Sequence, residues 1–153
     1  MKRIIITLVL INTLAFLFTN SVMAESSKEY AVMGRETWSA FQCSALAEKS
    51  KDLKEQERLF RFGYDKGVKF ISALKSEKIK REDLETEVPV GVLFLLQGPS
   101  ADFILGRVFE NTLESALAPV YKTGDKYNSD EMQELIAKNE FEKRNCKLIG
   151  RKK

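Results

Sequence analysis

The two cysteines constrain this chain more than any other feature. Cys43 and Cys146 lie far apart in the sequence, and both follow an N-terminal segment that has the features of an export signal. Because exported proteins mature in oxidising compartments, we expect a disulfide rather than a reactive or metal-binding pair. Such a bond closes most of the chain into one loop, so the fold must bring residues 43 and 146 together.

Residues 1–24 have the pattern of a signal peptide. Lys2 and Arg3 precede an apolar run over residues 4–18, and Val22-Met23-Ala24 suits a signal peptidase. We predict cleavage near Ala24 and a periplasmic or secreted location. The run is about 15 residues long, whereas a spanning helix needs roughly 20, so we expect no stable membrane insertion after cleavage.

Residues 25–153 are predicted to form one domain, long enough to bury its own core. Without the two basic residues of the signal, the chain carries 23 basic and 22 acidic side chains. These charges are interspersed along the sequence, which is typical of a solvated surface. A nucleic-acid partner is therefore not expected.

Apolar periodicity predicts two helices in the first half of this domain. Trp38, Phe41 and Ala45 share one face of a helix over residues 29–49. Asp52 and Glu55 have capping-box spacing at the start of a second helix, which is expected to run to about residue 75. The highly charged residues 76–87 suggest a surface connection with a partial helical turn.

Residues 88–96 are uniformly apolar and suit either a buried strand or a short helix. Pro89 fits the first position of a helix, and Gly98-Pro99 fits its termination. Since no second strand is evident to pair with this segment, we predict a helix.

The C-terminal half predicts two further helices separated by a loop over residues 120–129. Ser100 caps the first of them, which is expected to end before Pro119. The second begins near residue 128 or 129, and Phe141 is expected to pack near its end. Three apolar residues are predicted to be its buried face: Met132, Leu135 and Ile136. The expected fold is all-α, a bundle of about five helices in which a disulfide joins the first helix to the C-terminal tail.

The absence of histidine limits the chemistry that this chain can perform. It removes the common forms of Ser/His/Asp and Cys/His catalysis and the usual zinc and copper sites. No phosphate-binding glycine motif occurs either. We therefore expect no cofactor and assign no catalytic or metal-ligating residue.

Carboxylate catalysis needs no histidine, so a glycan hydrolase of the cell envelope is an alternative. Its candidate residues are Asp102, Glu110 and Glu114, which lie at or beyond the start of one predicted helix. Arg107 and Glu110, three residues apart, also fit a simple surface ion pair.

Gly63 and Gly67 lie one turn apart on the apolar stripe of the second helix. Each glycine costs a helix about 1 kcal/mol relative to alanine, so a compensating reason is expected. Close approach of another helix is the preferred interpretation. The alternative is a small apolar or anionic ligand carried between the helices.

The most distinctive polar cluster lies where a tight turn meets a helix N-terminus. Ser100, Asp102 and Arg107 are there. If the two helices pack together, Arg61, Tyr64 and Arg107 are expected to form a polar patch beside Gly63 and Gly67. Free N–H groups at such a terminus can bind an anion. The preferred interpretation is a helix corner that carries its own cap. These five residues are the candidate binding residues.

The sequence Gly63-Tyr64-x-x-Gly67-Val68 resembles a motif of the periplasmic immunity proteins that neutralise peptidoglycan-amidase toxins of type VI secretion. The motif has a cysteine close beside it in that family, whereas here Phe62 precedes Gly63 and Cys43 lies far upstream. The resemblance implies a small exported helical protein that inhibits another protein. Together with the missing catalytic motifs, it favours a non-enzymatic module with a protein partner in the cell envelope. The oligomeric state stays open.

Overall fold

The computed structural model describes residues 25–151, and the expected all-α fold is confirmed. Six helices, one more than predicted, account for most of these residues. They are α1 (Ser27–Lys49), α2 (Leu53–Lys75), α3 (Arg81–Glu87), α4 (Val90–Leu93), α5 (Ala101–Tyr121) and α6 (Asp130–Lys143). A short hairpin of β1 (Lys122–Thr123) and β2 (Lys126–Tyr127) precedes α6, and a 3₁₀ turn (Cys146–Leu148) follows it. The predicted signal peptide and its cleavage site lie outside the described residues.

Side-chain caps set the beginnings of the four longest helices. In each, the side-chain oxygen of the residue before the helix accepts a hydrogen bond from a backbone N–H of the first turn. The capping residues are Ser26, Asp52, Ser100 and Ser129. The caps at Asp52 and Ser100 were predicted from the sequence, whereas α1 begins two residues before the predicted start, after the unpredicted cap Ser26.

The glycines of α2 let α1 and α5 approach closely. A β-carbon built on Gly63 would lie 2.8 Å from Cδ1 of Phe41. One built on Gly67 would lie 2.3 Å from Cδ2 of Leu105 and 3.1 Å from Cγ2 of Thr37. Protein interiors have no spare room of this kind, so a side chain at either position would displace its neighbours. The preferred interpretation, close helix packing, is confirmed.

The buried core has two parts. One includes Phe41, Phe70 and Ile104, each at most 2% exposed, and lies among α1, α2 and α5. The other surrounds the cysteines and includes Leu59 of α2 and Phe141 of α6. The α1–α2 pair therefore supports both ends of the bundle.

The predicted disulfide between Cys43 and Cys146 is confirmed, with the two Cα atoms 5.6 Å apart. Both cysteines are buried. The bond joins α1 to the 3₁₀ turn at the end of the chain, as the sequence suggested.

The prediction that α5 ends before Pro119 is wrong, because the helix continues to Tyr121. Proline lacks the N–H that would bond to the carbonyl of residue 115, so only one hydrogen bond is lost near the helix end. Val120 is completely buried, and the N–H of Lys122 bonds to the carbonyl of Ala118. The burial of Val120 offsets the loss of the backbone hydrogen bond at Pro119.

The loop predicted over residues 120–129 contains the β1–β2 hairpin instead. Lys122 pairs with Tyr127, and Thr123 pairs with Lys126. Gly124 turns the chain with φ of +60°, a conformation that glycine adopts without strain. The side chain of Asn128 donates a 2.8 Å hydrogen bond to the carbonyl of Val120, which closes the hairpin.

The buried face predicted for α6 is also wrong. Met132 and Leu135 are 47% and 52% exposed, and Ile136 is half-buried. The helix instead buries Gln133, Ala137 and Phe141, which recur every four residues. Gln133 is accommodated because its amide donates a 2.7 Å hydrogen bond to the carbonyl of residue 128. Phe141 packs near the helix end, as expected.

The helix predicted within residues 88–96 is present but short. It covers only Val90–Leu93, with Pro89 at its N-cap. Val88 and Val92 enter the core, whereas Phe94 is 77% exposed.

Within residues 25–151, no helix has both the length and the apolarity that a bilayer span requires.

Candidate functional site

Two of the candidate binding residues meet between α2 and α5. The hydroxyl of Tyr64 on α2 donates a 2.6 Å hydrogen bond to Oδ1 of Asp102 in the first turn of α5. This bond raises the pKa of the Tyr64 hydroxyl, and the negative charge of Asp102 raises it further by opposing the phenolate. Both effects favour the protonated phenol, which is the form that donates this hydrogen bond.

Ser100 and Arg107 support the same corner of the fold. The hydroxyl of Ser100 accepts a 3.1 Å hydrogen bond from the N–H of Phe103 and is thus an N-cap. The guanidinium of Arg107 donates to the carbonyl of Gln97 at 2.7 Å and lies 5.9 Å from the centre of the Phe103 ring. Both residues hold the turn between α4 and α5, which agrees with the interpretation of a self-capped corner.

Arg61 does not join this group. Its guanidinium pairs with Glu57 one turn earlier on α2, at 2.7 Å, and both side chains are largely exposed. Such a pair stabilises a helix by only about 0.3–0.5 kcal/mol. The predicted patch of Arg61, Tyr64 and Arg107 therefore reduces to Tyr64 with Asp102.

An aromatic cluster lies beside the Tyr64–Asp102 bond. The rings of Phe60 and Phe109 meet edge to face with centroids 5.3 Å apart, and Phe109 makes a similar contact with Phe41. These rings enclose a small apolar cavity of about 170 Å³. It is lined by Phe41, Phe60, Tyr64, Asp102, Leu105, Gly106 and Phe109.

The cavity lies next to the surface. Phe60 and Tyr64 are each 37% exposed, and Phe103 is 51% exposed. A β-carbon on Gly106 would meet no other atom within 4 Å, so the α5 side is open. We call this surface the α2–α5 face and define it as Phe60, Tyr64, Asp102, Phe103 and Gly106.

An open groove of about 630 Å³ continues from this face along α5 and shares Asp102 and Gly106 with the cavity. Glu110 and Glu114 also line it, so the three carboxylates considered for catalysis lie along one groove. Neither glutamate forms an ion pair with any residue in 25–151. Arg107 is the groove's one cationic lining residue. Its guanidinium donates to the carbonyls of Leu95 and Gln97, and the expected Arg107–Glu110 pair does not form.

A second charged cluster, near the disulfide, was not predicted. Both carboxylate oxygens of buried Glu55 accept hydrogen bonds from Arg58, at 2.7 and 3.1 Å, and Oε1 also accepts one from Arg151 at 2.9 Å. Arg58 further donates to the carbonyl of Ile149 at 2.6 Å. We call these three charged residues, with the Cys43–Cys146 bond, the tail clasp.

The tail clasp corrects the interpretation of Glu55 as half of a capping box. Asp52 does accept a hydrogen bond from the N–H of Glu55, but the Glu55 carboxylate turns to the arginines. Its hydrogen bonds with Arg58 lower its pKa, against the opposing effect of burial. The spacing of Glu55 and Arg58 was a visible signal for an ion pair, whereas Arg151 lies too far along the chain to be inferred.

Sequence reasoning did not identify the exposed aromatic residues Phe60 and Phe103 as candidate binding residues. Comparison of the chain with family models, curated proteins and solved structures gives no match.

Proposed function

We propose that this protein is an exported, non-enzymatic module that binds another protein through the α2–α5 face, as an inhibitor or immunity factor does. The main support for the proposal is the exposure of three aromatic side chains. Phe60 and Tyr64 line the apolar cavity, and Phe103 lines the groove that adjoins it. Aromatic residues are enriched at the centres of protein interfaces, and clustered exposed apolar side chains often mark such sites.

The alternatives have less support. The nearly neutral balance of charge after residue 24 gives no electrostatic attraction to nucleic acid or to an anionic membrane surface. The carboxylates Asp102, Glu110 and Glu114 could serve a hydrolase, but their shared groove is open to solvent. Turnover of purified peptidoglycan, abolished by Glu110→Gln, would contradict a non-enzymatic role.

Export is part of the proposal and has its own test. The disulfide suits an oxidising compartment, and the first 24 residues have the pattern of a signal peptide. Intact mass spectrometry of the protein from an envelope fraction should give a chain that begins at Glu25 with both cysteines oxidised. A mass that includes the first 24 residues would contradict cleavage.

The immunity role rests on the resemblance of residues 63–68 to the amidase-inhibitor family. Packing against α1 and α5 accounts for Gly63 and Gly67, which leaves Tyr64 as the motif residue on the α2–α5 face. A toxin encoded in an adjacent gene should be neutralised by the wild-type protein in co-expression. Neutralisation should fail when the α2–α5 face is altered.

Affinity capture with matched variants tests the binding surface. Phe103 on the α2–α5 face and Leu135 on α6 are 51% and 52% exposed, so serine at either position removes a similar apolar group. A partner retained by the wild-type protein and by Leu135→Ser, but lost from Phe103→Ser, supports the proposal. Equal retention by all three proteins, or no specific partner at all, would count against it. Circular dichroism establishes that both variants are folded.

A further inference from the structure

The apolar cavity between α2 and α5 has a size that restricts what can enter it. Ligand pockets for free small molecules are typically about 300–1,000 Å³, whereas a cavity of about 150 Å³ accepts a benzene ring. At about 170 Å³, this cavity has room for one phenyl ring or one leucine side chain. A single side chain of a partner fits it better than a carried ligand does.

The chemistry of the wall agrees with an apolar occupant. Phe41, Phe60, Leu105 and Phe109 supply most of the lining, and the polar atoms at the rim belong to Tyr64 and Asp102. Those two side chains already satisfy each other through a 2.6 Å hydrogen bond. When an apolar group enters the cavity, the Tyr64 hydroxyl therefore keeps its hydrogen-bond partner.

The groove beside the cavity is negatively charged. It is lined by three carboxylates, Asp102, Glu110 and Glu114, and one guanidinium, that of Arg107, so its formal charge is −2. Arg107 is directed to the carbonyl groups of Leu95 and Gln97 and does not neutralise either glutamate. A cationic group of the partner complements this groove.

We propose that the cavity receives one aromatic or leucine side chain of the partner while a neighbouring lysine or arginine of the same segment lies along the Asp102–Glu114 groove. This proposal rests on the proposed protein-binding function and specifies the chemistry that the α2–α5 face recognises. Cavity and groove share Asp102 and Gly106, so two adjacent partner residues can reach both.

Blocked dipeptides test the two elements separately. N-acetyl-Phe-Lys-amide, added at millimolar concentration to the ¹⁵N-labelled protein, should shift the amide resonances of Tyr64, Gly106 and Phe109 in a saturable manner. N-acetyl-Phe-Glu-amide should bind at least threefold more weakly, and N-acetyl-Ser-Lys-amide should give no saturable shift. Equal shifts from all three peptides, or none from the first, would overturn the proposal.

Variants of the protein identify the place of binding. A β-carbon at Gly106 meets nothing within 4 Å, so the helix should tolerate Gly106→Leu. The leucine side chain should fill the mouth of the cavity, and the Phe-Lys peptide should then no longer bind. The double variant Glu110→Gln/Glu114→Gln should bind the Phe-Lys and Phe-Glu peptides with more similar affinities than the wild-type protein does. Undiminished binding to Gly106→Leu would contradict the proposal.

The capture experiment separates this inference from the proposed function. If a partner is lost from Phe103→Ser but fully retained by Gly106→Leu, the face binds a protein without using the cavity. The inference is then wrong and the proposed function stands. If no partner depends on Phe103, the proposed function fails, whatever the peptides do.

Discussion

The tail clasp and the α2–α5 face both include residues of α2 but differ in how many of their side chains are buried and paired. In the tail clasp, buried Glu55 is bonded to two arginines, and a buried disulfide holds the end of the chain. On the α2–α5 face, Phe103 is half exposed and Gly106 faces open space, while Glu110 in the adjoining groove has no ion pair among the described residues.

This difference separates the part of the molecule that stabilises it from the part available for binding. Groups that are already paired and buried add to the free energy of unfolding but offer little to a partner. Exposed aromatic rings lower the free energy of association when a partner covers them, because their apolar surface is then removed from water. Substitutions in the tail clasp should therefore reduce stability, whereas those on the α2–α5 face should reduce binding.

Removing the disulfide should have the largest effect on stability. Replacing both Cys43 and Cys146 by alanine should lower the free energy of unfolding by about 3–5 kcal/mol, because the open chain has more conformational entropy when unfolded. Urea denaturation measures the change. A loss below about 1 kcal/mol would contradict the stabilising role given to the disulfide.

Glu55→Gln should lower the free energy of unfolding by about 2 kcal/mol at neutral pH, because hydrogen bonds between charged groups are stronger than neutral ones. The folded-state pKa of Glu55 lies below the ordinary value of 4.5. Its stabilisation is therefore present above that value and is lost as the pH falls through the lowered pKa.

Denaturation curves recorded from pH 7 to pH 2 test this dependence. The difference between wild-type protein and Glu55→Gln should be largest near neutrality and should narrow in acid. Glu57→Gln is a suitable control, since Glu57 forms an exposed pair with Arg61. A difference that is constant with pH would contradict the role given to the Glu55 carboxylate.

Gly67→Ala should destabilise the fold by about 1 kcal/mol overall. The added methyl group collides with Leu105 and Thr37, which costs about 1–3 kcal/mol, and the gain in helix propensity offsets part of this. Thermal unfolding monitored by circular dichroism measures the net effect. An increase in stability would show that α2 and α5 have room to separate.

Gly106→Ala should have the smallest effect and the opposite sign. Its β-carbon would meet nothing within 4 Å, so the higher helix propensity of alanine should raise stability by about 0.5–1 kcal/mol. Parallel thermal unfolding of Gly67→Ala and Gly106→Ala makes the comparison direct. If both variants lose stability equally, the α2–α5 face is as tightly packed as the interior.

The features that could be predicted from the sequence depend on local signals or on chain-wide chemistry. Asp52 and Ser100 mark helix starts because their caps involve residues three positions away. The disulfide could be predicted from the signal-peptide pattern of residues 1–24 and the presence of only two cysteines. The spacing of Gly63 and Gly67 predicted close packing. Glycine lowers helix stability, so two glycines on one apolar stripe are expected only where a close contact compensates for them.

The features that could not be predicted depend on which surfaces meet. The sequence of α6 offers apolar residues on more than one side, and only its partners decide that Gln133 is buried while Leu135 is exposed. Pro119 stays helical because Val120 enters the core. The sequence grouped Tyr64 with Arg61 and Arg107. In the structure Tyr64 bonds to Asp102, and Arg61 pairs within its own helix.

Site-specific photo-crosslinking in the native host tests the central claim most directly. A benzophenone amino acid replaces Phe103 on the α2–α5 face in one strain and Leu135, of equal exposure, in another. We expect a discrete crosslinked product with one other protein from position 103 and none from position 135. Crosslinks from position 135 alone, or from neither position, would contradict the assignment of the α2–α5 face as the binding surface.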